Sequence, residues 1–486
     1  MKNPFEKLLS VVLGFFARAA VTLNDIFNKG NPSENPAGKG TENGARPRRR
    51  LVDGINTDRF TQLCAVLVIG FVSIIGAILI SVSLSSGSRE VNVDTRQGGN
   101  DMGVGSVTLT FSGNIMLSQD MIDSAVTDNG YNFSNYMAEL AQVMTGDISI
   151  AGICGQVDVN GSNAEVCGFG KGNNYPSQLA SAVSGAGIDY IFGANNYAFL
   201  NGFDGMRATV SNIKNNSLGV IGLTDAEPDK LNSGVVRING INVGLSGYDC
   251  VNAKSYDNLT DEQKRYMVKL ESDPDGAAER ISQDIKKLKS RGAEFIVVCV
   301  NWGQPSDKSE SDFMKKAAKK IAAAGADVIV GYGAYVTLGS EVIESERNGV
   351  TEECYVFYSL GCLFADMTER KDYTDAMSCS MAVTIEAVRG KDGSVSVNSA
   401  VYDPIYIIKN SPEDGSQSYM KYMAVPAANY VSAETCPDIF TDVSGWNRCK
   451  SAFRAICAIA DKSGGRLVLN ESGRYAADKG KRGGKI

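Results

Sequence analysis

The chain has 486 residues, a formal net charge of −7 and no histidine. Its length allows a large core or several domains, and its acidic balance argues against nucleic-acid binding, which calls for a basic face. The absence of histidine excludes serine–histidine and cysteine–histidine catalysis and removes the commonest transition-metal ligand, while the eleven cysteines form no CxxC pair and so argue against a zinc ribbon.

Residues 1–60 read as a cytoplasmic N-terminal segment. Its apolar run Leu8–Ala17, flanked by Lys2, Lys7 and Arg18, is too short to span a bilayer. It reads as an interfacial amphipathic helix, with a signal-peptide core as the alternative. A Gly-, Asn- and Pro-rich linker with Arg46, Arg48, Arg49 and Arg50 follows. Thr61–Leu84 then carries no charge over 24 residues, against the ~20 that a spanning helix requires. Basic residues concentrate before it, so the positive-inside rule predicts a cytoplasmic N-terminus and an extracellular remainder. Residues 85–105 read as a flexible stalk.

From 106 to 410 strands and helices alternate, which predicts an α/β domain. Strands are expected at Val107–Phe111, Asp147–Ala151, Asp189–Phe192, Glu294–Val300, Ala326–Gly331, Glu353–Leu360 and Ser380–Val388. Helices are expected at Tyr175–Gly187, Gly205–Ile213, Gly276–Arg291 and Ser311–Ala324. Gly234–Leu245 reads as a hairpin turning at Asn239-Gly240. The run Gly193–Ala198, between a buried strand and a helix, stands where α/β domains usually build a site. Residues 411–486 form a C-terminal extension, a small domain or a flap, with a helix at Trp446–Ile459 and a short strand at Gly465–Leu469.

Six blocks in order carry a resemblance. They are Gly113-Asn114-Ile115-Met116, Gly152-Ile153-Cys154, Ala194-Asn195-Asn196-Tyr197, Asn301-Trp302-Gly303-Gln304-Pro305, the stretch Gly325-Ala326-Asp327 with Gly331-Tyr332-Gly333-Ala334-Tyr335, and Tyr358-Ser359-Leu360-Gly361-Cys362. Residues 107–410 thereby resemble the CapA family of poly-gamma-glutamate capsule biosynthesis proteins, of the calcineurin-like metallophosphatase superfamily. The resemblance implies a four-layer α/β/β/α sandwich and a binuclear metal site. The departures fall on the ligand positions. Asn114 stands for Asp, Cys154 for Glu, and Tyr197 and Asn301 for His. Pro305 stands for Glu, and Tyr332, Gly333 and Tyr335 stand where the motif carries three histidines.

Two-metal catalysis needs carboxylate and imidazole ligands. Neutral amides bind such metals poorly, and a phenol stays protonated near neutral pH. The expectation is therefore no metal, no cofactor and no catalytic residue. Asn114, Cys154, Asn195, Asn196, Tyr197, Asn301, Trp302, Tyr332 and Tyr335 would line a vestigial cleft that holds a polar polymer or glycan, or that has simply filled in. Asp204 and Asp249 are a carboxylate pair to weigh for metal-free hydrolysis. Cys154–Cys167 and Cys436–Cys449 are candidate disulfides, and Cys250 and Cys299 look like core residues.

The resemblance implies a role in making, anchoring or exporting capsular polyglutamate or a related surface polymer. The lost ligands imply a binding or scaffold subunit, with a hydrolase using substitute ligands and a structural envelope protein as alternatives. The expected partners are membrane lipid, through the transmembrane helix, a membrane-bound polymer synthase complex, and an anionic polymer or glycan. No nucleic acid is expected.

Overall fold

Strand β1 (Ser106–Met116) is the spine of the first sheet, and its alternation sends Val107, Leu109 and Phe111 to one side. The computed structural model describes residues 105–470 except 160–164, 233, 252–253, 272, 306, 348 and 412–419. The expected amphipathic segment Leu8–Ala17, the membrane segment 61–84 and the stalk up to 104 lie outside the described residues. No helix among the described residues is long and apolar enough to cross a membrane.

Three short parallel neighbours continue from β1: β2 (Ile148–Ile153), β3 (Tyr190–Phe192) and β4 (Gly219–Ile221). They are interleaved with α1 (Gln178–Gly185) and α2 (Gly202–Asn215). The second sheet opens with the hairpin β5 (Gly234–Ile238) and β6 (Ile241–Asp249). Asn239 and Gly240 turn it with positive φ of 49° and 83°, the conformation that an Asn-Gly pair favours. Helix α3 (Pro274–Ser290) starts at Asp273, whose side chain accepts from the Gly276 amide, with proline at the first helical position. Then come β7 (Phe295–Asn301), α4 (Asp312–Ala324), β8 (Val328–Tyr332), β9 (Ser340–Arg347) and β10 (Val350–Phe357). Ser311 caps α4, and Gly325 ends it in the left-handed region. The chain returns to the first sheet through β11 (Cys362–Ala365), β12 (Cys379–Arg389), β13 (Val395–Lys409), β14 (Tyr422–Pro426), α5 (Val443–Ala460) and β15 (Val468–Leu469).

The first sheet runs β14-β13-β12-β1-β2-β3-β4, with β11 paired to β1 and β15 to β13; the second runs β9-β10-β8-β7-β6-β5. Three apolar layers explain the stacking. Leu109, Ile150 and Val383 of the first sheet meet Val243, Val297 and Val330 of the second in one cluster. Ile153, Ile191 and Ile405 on the outer face of the first sheet pack with Leu179 and Val183 of α1. Ile296, Val298 and Val300 pack with Ile281 and Ile285 of α3 and Ala317 and Ile321 of α4. This is a four-layer α/β/β/α sandwich.

Several elements were not expected. β9 carries four charged or hydroxyl residues in its first six and lies at a sheet edge, so it lacks a continuous apolar signal. β13 contains Pro404, a residue that argues against a strand interior. The described residues beyond 420 complete the first sheet: β14 pairs along β13, and α5 sends Trp446, Cys449 and Ile456 into the central layer. Asn410 ties this return together by donating to the carbonyls of Met420 and Ile439, both at 2.9 Å.

The expected Cys436–Cys449 disulfide is absent: both are free thiols. Cys449 points into the core from α5, whereas the half-exposed Cys436 thiol donates to the Pro437 and Asp442 carbonyls. Cys250 and Cys299 are buried, as core residues should be.

Candidate functional site

The site lies where the C-terminal ends of both sheets' parallel strands converge, the usual location for function in α/β sheets. Strand register alone assembles it. In the first sheet Asn114 lies between Cys362 and Gly152, and Gly152 lies beside Phe192. In the second, Asp249 lies beside Asn301, and Asn301 beside Tyr332. The Tyr332 ring bridges the sheets. It packs on Phe192 at 4.6 Å, and a Cβ on Gly152 would collide with it at 2.7 Å.

Asn114 sits at an irregularity in β1, where the register shifts on both of its pairings. Its amide donates to the Gly361 carbonyl at 3.0 Å. A Cβ on Gly113 would overlap that same carbonyl, which accounts for glycine there. The carboxamide of Asn114 is buried, and its Nδ2 has no hydrogen-bond partner among the described residues; nor has the Tyr332 hydroxyl.

Asn195 shows how a residue type associated with ligation can serve structure. Its Nδ2 donates to the carbonyls of Ile153 and Gly193, both at 2.8 Å, and its Oδ1 accepts from the Tyr197 amide at 2.8 Å. These bonds fix the turn out of β3, and Asn196 and Tyr197 emerge half-buried from it. Asn301 is buried and donates to Asp249 Oδ1 at 2.7 Å. Trp302 faces the outer helical layer rather than a cleft, and its indole donates to the Tyr358 carbonyl at 3.0 Å.

Tyr335 closes the mouth. It is buried, takes φ +61°, and its hydroxyl lies 3.3 Å from that of Tyr197. Phe169 packs edge-on against both rings at 5.8–5.9 Å. The Arg370 guanidinium lies 5.6 Å from the Tyr335 ring centre and 5.9 Å from that of Phe169, held by a two-point pair to Asp372. Phe169 and Arg370 come from loops with no site-like pattern in the sequence; only an aromatic and a cation in polar surroundings mark them.

Cys154 and Cys167 do not form the expected disulfide. Their loop is closed instead by backbone pairing of Cys167 with Asn174 and of Gln156-Val157 with Asn174-Tyr175. Cys154 is buried at the base of the site, and its carbonyl accepts from the Tyr175 hydroxyl at 2.7 Å. Asp204 and Asp249 do not share an environment: Asp204 is exposed in the first turn of α2, and Asp249 is buried at the end of β6.

The donor set does not fit a divalent metal pair. Burial pushes the Cys154 thiol and the Tyr332 and Tyr335 phenols well above their ordinary ranges, so all three stay neutral. Burial also raises the Asp249 carboxyl to about 7, against the opposing pull of its bonds from Asn301 and the Val251 amide. Among the described residues no three Cys, Asp or Glu side chains converge as a metal site.

Residues 108–367 match the family described as Bacterial capsule synthesis protein PGA_cap, over half of the chain. The chain belongs to this family. It is 30% identical over 172 residues to the PGA biosynthesis protein CapA of Bacillus subtilis, covering 35% of this chain and 40% of that protein. It is 30% identical over 198 residues to the capsule biosynthesis protein CapA of Bacillus anthracis, covering 40% and 45%. The match thus spans under half the length of these curated relatives. Among solved structures, Haemophilus influenzae NAD nucleotidase (NadN) is similar over 79% of this chain and 69% of its own, at 11% identity and a TM-score of 0.37, too distant to bear on activity.

Proposed function

We propose that this PGA_cap family chain acts in the biosynthesis, anchoring or export of a capsular or related surface polymer as a non-catalytic binding or scaffold subunit. In this reading the segment 61–84 anchors it in the membrane, and the sandwich faces outward beside a membrane-bound synthase. The observation that carries the non-catalytic part is the closed, ligand-poor strand-end site. Asn114, Asn301, Cys154, Tyr332 and Tyr335 are all buried there, and the buried carboxylate beside them, Asp249, is bonded to Asn301. Such a group of atoms cannot clamp a phosphoryl oxygen between two cations.

The test is hydrolysis of a chromogenic phosphodiester and of poly-gamma-glutamate by the purified full-length chain, with manganese or zinc supplied. The expected result is turnover no faster than buffer. A metal-dependent rate abolished by Asp249→Asn would contradict the reading and favour a hydrolase with substitute ligands.

A further inference from the structure

The mouth of the strand-end site is held shut by weak contacts. The Arg370 guanidinium lies 5.6 Å from the Tyr335 ring centre and 5.9 Å from that of Phe169, but its two-point partner, Asp372, belongs to the same loop. The ion pair can therefore lift as a unit, with no charge left bare. The loop is tied at its ends. Asp366 accepts from Lys409 at 2.8 Å and from the Tyr422 hydroxyl at 2.7 Å, and the Tyr373 hydroxyl meets Ser378 Oγ at 2.9 Å. Between these ties Thr368, Glu369, Lys371 and Asp372 are exposed. The second closure, Tyr335 to Tyr197, spans 3.3 Å, longer than a good O–H···O bond.

An unmet donor lies at the base. Asn114 is 2% exposed, and its Nδ2 has no hydrogen-bond partner among the described residues. A buried donor left unmet is costly, so this one calls for an oxygen from outside the chain. Its strand neighbours fix its place: Asn114 lies beside Cys362, the Cys154 amide donates to the Ile115 carbonyl, and both cysteines share a packing cluster with Tyr335.

The surroundings carry no net charge, because Asp372 compensates Arg370 and burial keeps Cys154 and Tyr335 protonated. The half-buried Phe169 ring stands at 83° to Tyr197 and 90° to Tyr335. It has no parallel partner in either ring, so the three do not build the flat slot that a nucleobase needs. Aromatic walls with a few fixed polar groups suit a neutral sugar, whose C–H face lies on a ring while its oxygens accept hydrogen bonds.

We propose that the mouth is a lidded subsite for one neutral sugar unit: the Arg370 loop lifts, the Tyr335 ring rotates aside, the sugar lies on Phe169 and Tyr197, and Asn114 Nδ2 donates to one of its oxygens. The proposal rests on the reading of the chain as a binding subunit and names what its strand-end site holds.

The experiment is a saturation-transfer NMR titration of the purified full-length chain, in a detergent without a sugar headgroup. Chitotriose is the neutral sugar, adenosine a neutral base and poly-gamma-glutamate an anionic polymer. Phe169→Ala removes one stacking ring, with its fold checked by thermal melting, and Tyr197→Ala repeats the test on the other. Arg370→Gln removes the latch. Val468→Ala, on an exposed position of β15, is the control.

Chitotriose binding weakened about fivefold or more by either ring variant, tightened about two- to fivefold by Arg370→Gln and unmoved by the control is expected. Unchanged or weaker binding in Arg370→Gln would overturn the lid. Unchanged affinity in a ring variant that melts like the parent would overturn the mouth as the site. Tighter binding of adenosine would overturn the sugar class. Binding of poly-gamma-glutamate without chitotriose would overturn this proposal and leave the binding-subunit reading standing. Failure to bind any of the three probes would overturn both.

Discussion

Replacing Gly333 by histidine, the residue that the family motif carries there, is expected to destabilise the fold by about 3 kcal/mol and to create no metal site. Gly333 has φ +107°, a region that side-chain-bearing residues rarely adopt. A Cβ there would lie 2.5 Å from the Gly303 carbonyl oxygen and 2.6 Å from Asn301 Oδ1. The first obstacle is backbone and the second is a buried amide held by Asp249, so neither can swing aside cheaply. Strain of this kind costs about 1–3 kcal/mol, and forced overpacking about as much again. Gly333→Ala separates the Cβ effect from the imidazole and should account for most of the loss. Denaturant midpoints measure both variants. Unchanged stability in Gly333→His would mean that the loop relaxes freely and that the closed geometry is not built into the backbone.

The second large effect is pH-dependent. Asp249→Asn should leave stability near pH 4 almost unchanged and raise it at pH 8 by about 2–4 kcal/mol. The Asp249 carboxyl titrates at about 7 in the folded chain, against 3.8 for an ordinary aspartate. Between those values the folded state holds a proton that the unfolded state has released. Stability therefore falls as pH rises through this window, and it stays reduced above it. Asparagine keeps the acceptor oxygen for Asn301 and the Val251 amide and removes the charge. Asp403, raised to about 6 by burial, contributes a slope of the same sign, so the difference between variant and parent isolates Asp249. Asp120 and Asp366 are buried in part yet lowered by their bonds from Lys421, Lys409 and Tyr422, so they act below the ordinary aspartate range, outside this window. Parallel stability curves for parent and variant from pH 4 to 8 would show that Asp249 is ionised freely and that the strand ends are open to water.

The sequence carries the strand-end blocks plainly because each is fixed by backbone needs. Gly113 must clear the Gly361 carbonyl, and Asn195 must satisfy the turn after β3. The Asn239-Gly240 hairpin and the Ser311 and Gly325 helix ends are equally local signals. What the sequence does not carry is direction. Trp302 stands in a site-like block, yet its ring turns to the helical layer, because the Tyr358 carbonyl and ring offer it a hydrogen bond and a stacking surface. Cysteine spacing likewise suggested cross-links at Cys154–Cys167 and Cys436–Cys449, whereas burial of one partner in each pair draws its thiol into the packing. The mouth formed by Phe169, Arg370 and Tyr335 depends on contacts between loops far apart in sequence, which no local pattern records. The long strand β13 was hidden by Pro404, and the return of β14 to its edge depends on pairing with that hidden strand.

The strand-end site, built of amides, protonated phenols and thiols, and one raised carboxyl, is predicted to hold no metal. Elemental mass spectrometry of the full-length chain, purified without refolding and with manganese and zinc supplied, tests it directly. Substoichiometric metal is the predicted result. One or two tightly bound ions per chain, lost on Asp249→Asn or Asn114→Ala substitution, would contradict it.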